Sequence, residues 1–178
     1  MGGRGAGSSG KAGKEKKEAV ATGGGGGATA TVLDYQDLGY KSLNAKLRAG
    51  EKLNKKEGAT LKGVENSMKK TTKDMELYLG LDNGVGKQLN KLNAGQIMKD
   101  KALLSTSKSK EVFKHEFGKG WKATITVPAG TKVLDLNKTL GKKSRYADEK
   151  EVILPRSTKL GIVGIDHRAK TVQYRVLK

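Results

Sequence analysis

ADEKEVILPR, residues 147–156, sets Glu149 and Glu151 one residue apart, directly ahead of an apolar run. Side chains on a strand alternate faces, so residues two apart point the same way. Read as a strand from Glu149, the stretch puts two carboxylates on one face, where they repel each other. Water screens that repulsion on an open surface and does so poorly in a cleft. A solvated edge accounts for the pair as surface chemistry. A site that handles positive charge accounts for it as function.

The strand reading spreads outward from this stretch. EVILPR, KLGIVGIDH (159–167) and TVQYRVLK (171–178) form a run of short β-branched segments. ATITVPAGTKVLDL (123–136) holds two strands around a Pro-Ala-Gly turn, and MELYLGL (75–81) reads as a strand followed by a turn at DNG. KALLSTS (101–107) is a strand running into a polar patch. GKQLNKL is read as a short helix, and KSKEVFKHEF as helical with Val112, Phe113 and Phe117 on one side. Between Tyr40 and Thr72 the period becomes helical: Leu43 and Leu47, then Leu61, Val64 and Met68, recur at three and four. Gly50 and Gly58 divide that segment into two or three short helices. The fold class is therefore α+β, with short helices first and a mostly antiparallel sheet system after them.

Residues 1–30, rich in glycine, hold too little apolar surface to offset the entropy of ordering and are expected to be a flexible tail or linker. The expected division is this tail, then one domain over 31–178, with a helical lead-in at 40–72 and a β-rich core at 75–178. With no cysteine, disulfides, thiolate metal sites and cysteine nucleophiles are excluded. No apolar run approaches the roughly 20 residues that span a membrane, and no signal peptide is seen. Ala6 breaks the myristoylation pattern. The formal charge of +18 is mostly lysine, with arginine only at 4, 48, 145, 156, 168 and 175. Base and phosphate readers favour the arginine fork, so the balance reads as solvation with non-specific attraction to anions, nucleic acid included. Few aromatic residues argue against a single-strand stacking surface.

GVGKQL (84–89) is not a phosphate loop. Five residues separate Gly80 from Gly86, and Gln88 follows Lys87 where Ser or Thr is required. His115 and His167 each lack a second ligand at metal spacing, so no metal is expected. LLSTSKS (103–109) places Ser105 and Ser107 on one strand face with Thr106 opposite. Its hydroxyls suit a helix cap at Ser107 or Ser109, or a role in catalysis.

Taken together, NAGQIMKDKALLSTSKSKEVFKHEF, ATITVPAGTKVLDLN and YADEKEVILPRSTKLGIVGI resemble the mono-ADP-ribosyltransferase family. They are most like its bacterial exoenzyme branch and the related domains of tailed phages. The match covers roughly 75–178 and rests on a strand ending in STS, the VPAGTK turn, and Glu-x-Glu ahead of Leu-Pro-Arg, in family order. The Gly-Gly-Arg-Gly stretch near the N-terminus is similar to joints ahead of such phage domains. The resemblance implies a mostly antiparallel two-sheet core and NAD as substrate. It also implies a protein acceptor, expected to be a host protein, and action in a host or bacterial cytoplasm or in association with a virion or a larger polypeptide.

By the same resemblance Glu151 stabilises the cation that develops on the ribose and grips a ribose hydroxyl. Glu149 orients and activates the acceptor, and a glutamate there favours arginine. Ser105 holds Glu151 and shapes the nicotinamide pocket. Ser105, Thr106, Ser107, Gly80 and Trp121 are expected to border NAD, with Trp121 open to a second reading as a half-buried core residue. Tyr146, in LGKKSRYAD (140–148), is expected to contact the acceptor protein. One departure stands out. Leu79, between Tyr78 and Gly80, occupies the place of an NAD-binding arginine. The loss implies weaker NAD binding, lost activity, or a substitute cation, for which Lys87 and Lys114 are the candidates.

Overall fold

The computed structural model describes residues 28–115 and 120–178. The expected tail lies outside the described residues up to 27, as do Phe117, Gly118 and Lys119. The chain opens with α1 (Ala28–Asp34), a π-helical turn (Tyr35–Gly39), α2 (Tyr40–Ala49) and α3 (Lys55–Asn66). Asn54 caps α3 through a capping box with Glu57, and Glu57 also takes Lys46 Nζ at 2.8 Å. Helix therefore begins twelve residues before the periodic signal at Tyr40. ATATVLD is rich in β-branched residues with modest helix propensity, and it is held by tertiary burial of Val32 (0% exposed) and Tyr35 (1%).

Among the described residues nine strands follow: β1 (Lys69–Lys70), β2 (Met75–Leu81), β3 (Ile97–Lys99), β4 (Leu104–Ser107), β5 (Trp121–Val127), β6 (Lys132–Asp135), β7 (Glu151–Leu154), β8 (Lys159–Asp166) and β9 (Thr171–Val176). Three short helices lie among them: α4 (Asn83–Leu89), α5 (Val112–His115) and α6 (Leu136–Leu140). Hydrogen bonding runs in the order β1-β6-β7-β4-β2-β5-β9-β8-β3, antiparallel except for β5 with β9. The two-sheet character expected from the sequence survives within this order. The halves meet between β4 and β2 at a single register pair, Tyr78 with Ser107. The Pro-Ala-Gly turn carries the chain from β5 in one half to β6 in the other, with Gly130 at φ 84 and Thr131 N–H returning to the Pro128 carbonyl.

Two further readings shift in detail. DNG is the start of α4 rather than a free turn, since Asp82 caps it by accepting from Val85 N–H at 3.0 Å. KALLSTS is a strand only from Leu104. Residues 100–103 are instead fastened to α2: Arg48 forks onto Asp100 with its closest contact at 3.0 Å, and buried Asn44 accepts from Leu103 N–H at 3.2 Å.

Both faces of β4 and β7 are covered, which is why LL and VIL read as continuous apolar runs rather than as alternation. Leu104, Val152 and Leu154 join the larger core with Leu77, Leu79 and Leu81. Leu103 and Ile153 join a second core under the helices with Val32, Leu43 and Val64. By alternation, Ser105, Ser107 and Glu151 belong to the helix-covered face. Tyr78 and Gly80 share it through the Tyr78–Ser107 pair, and Leu79 points to the opposite side.

Leu79 is 2% exposed and pairs with Ala123. An arginine there places an uncompensated cation in an apolar core, at a cost of about 3–5 kcal/mol. Leu79→Arg should therefore lower urea-denaturation stability by that order. Leu79→Met should lose less than about 1.5 kcal/mol. Equal stability of the two variants contradicts the placement.

Candidate active site

The end of β4 and the start of β7 build the site. Ser107 pairs directly with Glu151, so Ser105 reaches diagonally across the ladder, and its hydroxyl donates to Glu151 Oε1. Both residues are 4% exposed. On the other face Thr106 Oγ1 donates to the Val152 carbonyl at 2.6 Å. Ser107 Oγ donates to the Glu149 carbonyl at 2.6 Å and accepts from Ser109 N–H at 2.9 Å. All three hydroxyls of STS thus grip residues 149–152. The capping role falls to Ser109, whose hydroxyl accepts from Glu111 N–H at 3.2 Å on the approach to α5.

Glu149 departs from the strand expectation. It ends a 3-10 turn, Ala147–Glu149, and Lys150 follows in the left-handed region at φ 46. The strand begins only at Glu151, so alternation does not align the two carboxylates. The turn places Glu149, and a lysine in this region is strained by roughly 1–2 kcal/mol. Two bonds to β4 and its exit hold the turn: Ser107 Oγ on the Glu149 carbonyl, and Lys108 N–H on the Lys150 carbonyl at 3.0 Å.

The same face carries cations. Tyr78 and Phe113 meet edge-to-face at 5.7 Å. Lys110 Nζ lies 5.4 Å from the Tyr78 ring centre and Lys122 Nζ 5.9 Å from that of Phe113. Gly80 pairs with Lys122. Of the substitutes proposed for the missing arginine, Lys114 is engaged with Glu111 at 2.8 Å and Lys87 is exposed on α4. Lys110 lies beside the Tyr78 ring, and Lys122 beside that of Phe113.

Trp121 lies elsewhere. It is 3% exposed in the larger core, opposite Leu81, and a Cβ on Gly86 would come within 2.7 Å of its ring. Its edge contact with His167, at 5.9 Å, and the His167 Nε2–H donated to the Leu92 carbonyl give that histidine a structural place. Tyr146 is 47% exposed at the loop ahead of Glu149. The structure thus brings Ser105, Ser107 and Glu151 onto one face with Tyr78 and Gly80, ties the Glu149 backbone to Ser107, and separates Thr106, Trp121 and Leu79 from that face.

Sequence reasoning missed the residues that hold the loop. Asp135 caps α6, accepting from Lys138 N–H at 3.2 Å, and also takes Lys108 Nζ at 2.7 Å. Asn137 donates to the Ala147 carbonyl at 2.8 Å. An Asp ahead of LNKTL is a readable cap signal. Nothing in the sequence points from Asn137 to residue 147.

The ladder end thus holds a buried carboxylate fixed by a strand hydroxyl, with Glu149 in a fastened turn ahead of it, within a mostly antiparallel sheet flanked by short helices. The ADP-ribosyltransferase exoenzyme family profile matches residues 29–178, and the chain belongs to that family. Among solved structures it is similar to Plx2a, an ADP-ribosyltransferase toxin from Paenibacillus larvae, with a TM-score of 0.68 at 18% identity, covering 85% of this chain and 86% of that one. C3stau2 from S. aureus, solved with NAD, gives 0.67 at 18% identity, with 85% and 86% covered. Exoenzyme S from Pseudomonas aeruginosa, in complex with human 14-3-3 protein beta and bound to carba-NAD, gives 0.64 at 20% identity, with 84% and 72% covered. The comparison with curated protein sequences gives no match.

Ser107 is the hydroxyl on which the Glu149 turn depends. Ser107→Ala leaves a carbonyl and an N–H without their partner, which costs about 1–3 kcal/mol. Ser109→Ala, in a partly exposed turn, should cost less. Thermal denaturation of both variants checks the order, and the reverse order contradicts it.

Proposed function

We propose that the chain is an NAD-dependent mono-ADP-ribosyltransferase whose acceptor is an arginine of a protein, expected to be a host protein. The observation that supports this most is the buried Glu151 carboxylate fixed by Ser105, with Glu149 in a turn tied to the same strand end. The structures of C3stau2 with NAD and of exoenzyme S with carba-NAD add support for NAD as the substrate.

The chemistry follows from the charges. When the bond between ribose C1′ and nicotinamide breaks, nicotinamide leaves with the bonding pair and positive charge develops on the ribose. A fixed anion facing that charge interacts most strongly at the transition state, where stabilisation raises the rate. Glu151 takes this role, with a ribose hydroxyl as its second contact. Ser105 keeps the carboxylate from turning away. A guanidinium nitrogen then attacks C1′ and gives up a proton, which Glu149 accepts. Two neighbouring carboxylates suit a cationic acceptor, and exposed Tyr146 adds a surface for the protein that bears it. Ser107 and Gly80 line the NAD side, and Thr106 supports it from the opposite face through its bond to the Val152 carbonyl. Action in a host or bacterial cytoplasm, and attachment to a phage head or larger polypeptide, belong to the same proposal.

A second reading, a catalytically impaired module of this fold that binds anions or nucleic acid, draws on Leu79 in the core and the formal charge of +18. It requires binding to DNA that falls steeply with salt, with no NAD turnover.

Glu151→Gln should abolish both nicotinamide release and transfer, because it removes the charge that faces the developing cation. Glu149→Gln should keep release into water and lose transfer to arginine. Ser105→Ala should lower turnover of folded protein, at a stability cost of about 1–3 kcal/mol. Chromatography of nicotinamide and of ADP-ribosylated agmatine measures both activities. Parallel loss of both in Glu149→Gln contradicts the assignment.

A further inference from the structure

Between Leu140 and Glu149 the chain turns twice before entering β7, and its anchors come from the other end of the sequence. Gln36, in the π-helical turn, is 4% exposed. Its amide engages the loop from both ends: Nε2 donates to Ser144 Oγ and Oε1 accepts from Arg145 N–H, each at 3.4 Å. Asp37 Oδ2 pairs with Arg145 Nη2 at 3.1 Å, with the aspartate side chain 22% exposed. The other oxygen, Asp37 Oδ1, is buried without a hydrogen-bond partner. Neighbours on an α-helix point about 100° apart. In this π turn, successive polar side chains reach the same loop. Such insertions recur at functional sites.

The far end of the loop is held differently. Glu149 N–H returns to the Tyr146 carbonyl at 3.0 Å, and Asn137 holds the Ala147 carbonyl. Tyr146 and Glu149 therefore stand on a segment clamped by the π turn at 144–145 and by α6 and β4 at 147–150. Glu151 and Ser105 sit in the β4–β7 ladder, bonded to each other across it.

We propose that Gln36 and Asp37 are positioning residues for the acceptor. They fix residues 144–146 so that Tyr146 and Glu149 meet an incoming guanidinium, and they thereby set how ADP-ribose is divided between the acceptor and water. Water needs no docking surface, so cleavage of NAD is insensitive to the clamp while transfer depends on it. This inference rests on the functional reading above.

The test uses the full chain with Gln36→Met and Asp37→Asn, which keep side-chain size. Nicotinamide release is measured in water alone, and transfer is measured to agmatine and to an arginine-bearing protein. Hydrogen exchange is followed at residues 144–149. Release in water should be unchanged, and transfer to the protein should fall about tenfold or more in kcat/KM. Exchange should quicken at 144–149 and stay slow in β4 and β7. Arg145→Ala should reproduce Asp37→Asn, and the double variant should be no worse than either single one, the mark of a coupled pair. Parallel loss of release and transfer, or unchanged transfer with faster exchange, overturns the positioning role. Unchanged exchange overturns the clamp itself. Should the native chain release no nicotinamide, the enzymatic reading and the partition role fall together, and the exchange data alone decide whether the π turn holds the loop.

Discussion

A carboxylate that is 4% exposed must be compensated where it stands, and Glu151 is compensated by a strand hydroxyl. An ionised group taken out of water is costly unless hydrogen bonds replace its solvent. The Ser105–Glu151 bond works only if β4 and β7 keep their register. A one-residue slip would turn Ser105 to the larger core and bring Leu104 to the carboxylate. The ladder is packed on both faces, with Leu103 and Ile153 under the helices and Leu104, Val152 and Leu154 in the larger core. The site is thus a by-product of packing on both faces of one ladder, and its polar residues occupy the end where apolar packing stops.

Around this ladder the fold is assembled from contacts distant in sequence. Asp100 is 3% exposed and takes the Arg48 guanidinium together with Ala102 N–H. Asn44 joins the Tyr35 hydroxyl to Leu103 N–H. Both bring the helices onto the approach to β4. The halves of the sheet meet at Tyr78 and Ser107, beside the same strand end. The helical layer is therefore part of the site's framework. It covers the second core, fastens the entry to the STS strand, and reaches residues 144–145 through the π turn.

Much of this was legible. MELYLGL has the same limits as β2, and the STS motif and the second glutamate of Glu-x-Glu lie on the two strands that pair. Strand identity was readable because β-branched runs bounded by Pro, Gly and Asp carry a local signal. The rest depended on contacts without one. Helix α1 looks like an extension of the glycine-rich stretch and becomes helical by burying Val32 and Tyr35. Lys150 at φ 46 breaks the alternation that ADEKEVILPR suggests, and lysine gives no hint of a left-handed turn. Trp121 suited a ligand loop and a core equally in sequence. Its contact with Gly86, from α4, decides for the core. Leu79 was readable as a departure from the family pattern, but its burial on the opposite face from Glu151 depends on the register with β5.

The central claim is that this ladder end cleaves NAD despite a leucine at position 79. Timed release of nicotinamide from NAD by the purified native chain, with and without agmatine, tests it most directly. The account predicts release proportional to protein concentration and faster when agmatine is present. A chain that unfolds cooperatively on heating, and so is folded at the start, yet releases no nicotinamide above the protein-free control would contradict it.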